Sequence, residues 1–132
     1  MNTRNLLPTN YEARPRQSGA RTALAPAFAE VLLLEDCIAA CERMAVVMTE
    51  SGVDHPLLEQ LSECIAGCRS YLAARSRESR YAARYAQMCA MVLRETADRC
   101  LELDCETSRD CRKACRRSRL LIKKQFSATS RN

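Results

Sequence analysis

The sequence contains no tryptophan and only four tyrosines and two phenylalanines, so its interior has few aromatic rings to build on. A core of that composition must be made from Ala, Leu, Ile, Val, Met and Cys, side chains that suit thin, closely packed helices. Glycine and proline are also scarce, at three and four residues, while 47% of the chain is hydrophobic. This is the makeup of one domain with a modest core, because 132 residues split in two would leave neither half enough to bury. Nowhere does an apolar run approach the roughly 20 residues that cross a bilayer. The best stretch, residues 23–34, is broken by Pro26 and Glu30, so no membrane partner is expected.

An export signal is missing as well. Residues 1–22 hold no early apolar run after a basic start and no twin-arginine pair, which predicts a chain that stays in the cytoplasm. In that reducing compartment nine cysteines, an odd number, are poorly explained by disulfides. They are expected to act as thiols.

Residues 1–22 are rich in Pro, Asn, Arg, Thr and Gly without apolar periodicity and read as a flexible N-terminal arm. The structured part is expected over residues 23–126, followed by a polar tail at 127–132. A first helix is predicted over 26–50, stopped by Ser51 and the left-handed terminator Gly52. Asp54 can cap a second helix over 57–76, with Pro56 near its first turn. A polar stretch at 75–80 precedes a third helix over 81–103, and Thr107 or Ser108 can cap a fourth over 109–126. Four helices with short links predict an all-α fold, an antiparallel up-and-down four-helix bundle.

Three cysteine pairs share the spacing Cys-x-x-x-Cys: Cys37 with Cys41, Cys64 with Cys68, and Cys111 with Cys115. Spacing of four residues puts both sulfurs on one helix face. On the first helix Met44 and Met48 continue the rhythm as 4, 3, 4, the period of a bundle seam, and on the third Cys89 and Cys100 share it with Leu93 and Thr96 between them. Each helix therefore turns sulfur inward. Counting outward from the turns, Cys41 faces Cys64 and Cys37 faces Cys68, with Cys89 in the same layer. Cys100, Cys111 and Cys115 are expected nearer one end, beside Met48, His55 and Cys105, which could form a second site or an entrance. Paired sulfurs on one helix run nearly parallel, which disfavours intrahelical disulfides and ranks a metal-free thiol redox sensor low.

Ligand softness selects the metal. Thiolates and thioethers take copper(I), zinc or iron–sulfur clusters. Four thiolates around zinc leave two net negative charges, costly in an apolar core whose predicted seam offers no lysine and one arginine, Arg75, at an extremity. Copper(I) shared about one per thiolate leaves the core neutral, and Met44 and Met48 suit it better than zinc. No Cys-x-x-Cys run of the kind that holds iron–sulfur clusters is present.

The segments CIAACERMAVVM (37–48), LSECIAGCRSYLA (61–73) and CRKACRRS (111–118), with Cys89 and Cys100, resemble the cysteine-rich four-helix-bundle copper-storage proteins. The resemblance covers about residues 30–122. It implies copper(I) bound by cysteines lining the bundle: Cys37, Cys41, Cys64, Cys68, Cys89, Cys100, Cys111 and Cys115. Fuller members place cysteine also at the steps held here by Met44, Met48, Tyr71, Arg75, Leu93, Thr96, Ser118 and Ile122. The reduced set points to a few ions held as a buffer or carrier, or to a relative without metal.

The competing signal is charge. The chain carries a formal net charge of +5, and the fourth helix concentrates Arg109, Arg112, Lys113, Arg116, Arg117, Arg119, Lys123 and Lys124 away from its cysteine face. A solvated face is the default reading, and an anionic partner such as nucleic acid, met by Arg109, Arg112, Arg116, Arg119 and Lys123, is the alternative. No aromatic residues interleave these cations. His55 is expected to be solvated in its link, and Cys105 to be exposed and able to bridge two copies into a homo-oligomer. Enzymatic readings find little support, since Glu-x-x-His pairs are absent and a Cys–His nucleophile would need the lone histidine.

Overall fold

In the computed structural model, residues 28–52 and 55–130 are described, and four helices account for nearly all of them. They are α1 (Phe28–Ser51), α2 (Pro56–Ser76), α3 (Ala82–Cys100) and α4 (Glu106–Ser130). The expected arm at 1–22 and the capping residue Asp54 lie outside the described residues. No described helix is long and apolar enough to cross a membrane.

Each helix buries residues at alternating steps of three and four. The buried series are Leu34, Cys37, Cys41, Met44, Met48 on α1, and Leu57, Leu61, Cys64, Cys68, Tyr71, Arg75 on α2. They are Ala86, Cys89, Leu93, Thr96, Cys100 on α3, and Ser108, Cys111, Cys115, Ser118, Ile122 on α4. A mean step of 3.5 residues keeps one narrow seam facing inward along the whole helix, the packing of a coiled-coil-like bundle. Each helix packs on its sequence neighbour, and α4 closes the ring on α1. Direction follows from side-chain pairs: Cys37 meets Cys115 while Cys41 meets Cys111, so α4 descends as α1 rises. Gln60 with Thr96 and Cys68 with Cys89 show the same opposition between α2 and α3.

The links refine the expected boundaries. Gly52 ends α1 with φ +72°, a left-handed conformation that costs glycine little. His55 takes the capping role at α2, its Nδ1 accepting a hydrogen bond from the Leu57 amide at 3.0 Å, and Pro56 follows in the first turn. Helix α3 ends at Cys100, three residues before the expected limit, because residues 101–105 form the turn into α4. Ser108 sits inside α4's first turn; its Oγ accepts from the Cys105 amide at 3.3 Å and faces the Leu103 and Cys105 carbonyls. Helix α4 therefore starts at Glu106, earlier than its predicted start at 109. It also runs through residues 127–130, where a polar tail was expected, since neither glycine nor proline interrupts it.

The end of α2 closes without glycine. The Ser79 amide donates to the Ala74 carbonyl at 2.9 Å and the Glu78 amide to that of Arg75 at 3.1 Å, with Glu78 itself at φ 54°. This is the paired-bond termination that normally favours glycine in the left-handed position. A left-handed non-glycine residue costs about 1–2 kcal/mol, part of which glycine returns through its freer unfolded chain. Glu78→Gly is therefore expected to stabilise the fold by about 0.5–1 kcal/mol, read as a higher urea midpoint at unchanged slope.

Candidate metal centre

Eight of the nine cysteines are buried, and all nine are free thiols. The seam steps described above bring them to the bundle axis from all four helices. Cys37, Cys41, Cys64 and Cys115 form the tightest group, their sulfurs all within 4.8 Å of one another. Two come from α1 and one each from α2 and α4, so the group exists only in the folded bundle. Around it, Cys111 Sγ lies 3.8 Å from Cys41, and Cys89 Sγ lies 4.0 Å from Cys68. Cys68 also senses the Cys37 and Cys64 thiols electrostatically, and Cys100 senses Cys111.

The eight sulfurs thus make one connected column from Cys89 to Cys100. This corrects the expected division into a mid-bundle five and a separate end group. Cys115 belongs to the central four, with Cys37 only 3.8 Å away, and Cys111 adjoins it. The cause is the early start of α4: beginning at Glu106 and not at 109, it carries Cys111 and Cys115 three residues further from the link than expected, level with the middle of the bundle.

Electrostatics within the column alternate. Cys37 is pulled down to about 5 by hydrogen bonding with Cys115 and then Cys41, and Cys64 is also held well below the ordinary thiol value, first by Cys115. Cys111 is lowered chiefly by Cys100. Cys41, Cys68, Cys100 and Cys115 are pushed up, each first by a thiol neighbour, with burial adding to the rise. The physical cause is shared protons: a sulfur that accepts S–H bonds is stabilised as thiolate, and its donor is held protonated. Four sulfurs so placed could hold a metal ion, with their protons released on binding.

The remaining expected ligands are placed differently. Met44 and Met48 are buried along the α1 seam, as their spacing predicts. His55 is tied up at both nitrogens, with Nε2 3.5 Å from Glu102, so it is a structural cap and is not merely solvated. Cys105 is half-buried, not exposed, and its thiol is lowered mainly by hydrogen bonding to Ser108 at the start of α4. Of the basic residues, Arg109 pairs with exposed Asp104 at 2.7 Å, Arg112 and Arg119 are half-buried, and Arg116 and Lys123 are exposed.

One group was not anticipated. Glu30, 3% exposed, receives hydrogen bonds from Tyr71 Oη at 2.5 Å and from Arg75 Nη2 at 3.2 Å. The Arg75 guanidinium lies 5.3 Å from the Phe126 ring centre, and Tyr71 meets that ring edge-on at 6.1 Å. Burial, followed by the bond to Glu30, pushes Tyr71 well up, so it stays a neutral donor. This network closes the end of the bundle where α1 begins and α2 and α4 end.

Comparison with known proteins adds one finding. Neither curated proteins nor solved structures yield a match. The family described as copper storage protein (Csp) matches residues 25–121, a span that contains all eight buried cysteines, and the chain belongs to that family.

Proposed function

We propose that this chain binds copper(I) through its column of buried thiols and serves, without enzymatic activity, to buffer or store the ion in the cytoplasm. The observation that carries the reading is the four-sulfur group Cys37, Cys41, Cys64 and Cys115, wholly buried and drawn from three helices. Soft ligands without oxygen or nitrogen donors select copper(I) or zinc. Charge separates the two. The one buried cation among the described residues, Arg75, is already paired with Glu30, so nothing remains in the core to balance the two negative charges of a zinc tetrathiolate. Copper(I) shared about one per thiolate leaves the column neutral.

Cys68, Cys89, Cys100 and Cys111 extend the group so that further ions can spread along the axis. Entry is assigned to the end where α1 stops and α2 starts, beside the 101–105 link and near Cys100, Cys105 and Met48, because Phe126 and the Glu30–Arg75 pair fill the other. Anaerobic titration of copper(I) against a competing chelator tests the reading. At least one tightly held ion per chain, undisplaced by zinc, is expected; less than one ends the proposal. Anaerobic handling matters, since cross-helix sulfurs 3.8 Å apart are also open to oxidation.

The pKa pattern sets the expected pH response. Thiols raised above the ordinary value, Cys41 and Cys115 in the central group, are protonated at neutral pH and must each release a proton when metal binds. Affinity therefore falls as pH falls, by about tenfold per unit for each proton released. The slope steepens below about 5, where Cys37 is protonated too. Chelator competition between pH 5 and 8, paired with proton release in weakly buffered solution, measures both effects.

A further inference from the structure

The basic residues of α4 do not all share one environment. On the side facing α1, Arg43, Lys113 and Arg117 line a shallow groove together with Asp36 and Asp110, so charge there is nearly balanced. On the side facing α3 the balance fails. Arg112, Arg116 and Arg119 of α4 and Arg94 of α3 line a groove of about 260 Å³ in which the one carboxylate is Asp98. None of these four arginines has an ion pair within 4 Å among the described residues, even with Asp98 alongside. The adjoining groove between the same helices continues the line with Lys123; it adds one carboxylate, Glu95, so cations still outnumber carboxylates five to two along the two grooves, and its one ring, Phe126, is packed against Tyr71 and Arg75.

Geometry gives the ligand its shape. Arg112, Arg116, Arg119 and Lys123 follow one another at steps of four, three and four on α4, a straight row about 16 Å long at 1.5 Å per residue. The groove floor is apolar, formed by Leu93 and Ala97, which are almost fully buried. A row of like charges over a low-dielectric floor concentrates the field toward an anion. Guanidinium groups match phosphate with two parallel hydrogen bonds, and a row of them matches several phosphates in line. No aromatic ring lines the Arg94–Arg116 groove, so nothing there can stack a base.

We infer that the α3–α4 groove is a binding site for a linear oligophosphate, read through its phosphates alone. This site is separate from the thiol column and does not depend on the metal reading. Its test is calorimetric titration of the metal-free, reduced full chain with sodium tripolyphosphate at two salt concentrations. Binding that weakens with salt is expected, with at least a tenfold loss in R116Q/R119Q and less than a twofold loss in K113Q/R117Q, the same change in net charge on the opposite side of α4. Equal losses in the two variants would reduce the effect to net charge and overturn the site, as would no binding at 100 mM salt. ATP is expected to bind no more tightly than tripolyphosphate. A single-stranded oligonucleotide of equal charge that bound more tightly would transfer the groove to nucleic acid and end the oligophosphate assignment. Unchanged helical circular dichroism in both variants keeps the comparison valid, and Arg94→Gln gives an independent check from α3.

Discussion

Replacing Cys115 with alanine is expected to lower copper(I) affinity by at least tenfold, more than the loss of any cysteine outside the central group. Cys115 is the sulfur on which the cluster converges: it lies 3.8 Å from Cys37 and is the leading influence on both Cys37 and Cys64. Removing an outer partner of a metal site already costs about 10–100-fold in affinity, and a direct ligand is worth at least as much. Stability should suffer far less. The substitution deletes one buried heavy atom, a change of roughly 1 kcal/mol when the cavity cannot collapse, so the bundle stays folded at room temperature. Cys105→Ala is the matched control, because that half-buried thiol lies outside the four-sulfur group, and it should leave affinity within about twofold. Anaerobic chelator competition on both variants decides the matter. Wild-type affinity in Cys115→Ala together with a loss in Cys105→Ala would move the site to the α3–α4 link and discard the central cluster.

The route from sequence to this cluster was short where period alone decides the outcome. Alternating steps of three and four placed every inward cysteine correctly on its own helix, because a side chain's face is a local property of the backbone. Their grouping across helices was harder to read. It depends on where each helix starts, which a periodic pattern fixes only loosely: α4 begins at Glu106 and not at 109, and so Cys111 and Cys115 were expected too near one end. His55 was misread for a related reason. A histidine in a polar link looks solvated until the start of α2 is known, and then its Nδ1 is the acceptor that the Leu57 amide requires. Glu30 left a usable trace: four residues before Leu34 and seven before Cys37, it continues the buried seam backward. Taken as a break in an apolar run, it was not matched to Arg75, which ends the seam of α2 at the same height.

That pairing carries the second large effect. Arg75→Met is expected to destabilise the fold by about 3–5 kcal/mol, the usual result of leaving one member of a buried ion pair behind. Glu30 would keep its bond from Tyr71 but lose the guanidinium that balances its charge, and at 3% exposure water cannot replace it. Glu30→Met should cost a similar amount, for Arg75 then retains the Phe126 face without its carboxylate. The double variant E30M/R75M is expected to recover at least half of the summed loss, since two apolar side chains can fill the space of a pair whose desolvation offsets most of its attraction. Tyr71 would then hold a buried hydroxyl with its acceptor gone, worth about 1–3 kcal/mol, which adding Tyr71→Phe should return. Urea unfolding of the metal-free chain supplies all four numbers, and a single Arg75→Met cost below about 1 kcal/mol would show that the pair is not held dry. Against a typical domain stability of about 5–15 kcal/mol these are large fractions, yet the copper stoichiometry of the folded variants should remain that of the wild type. The network closes the bundle end, and the central sulfurs sit deeper along the axis, on residues the substitutions leave in place.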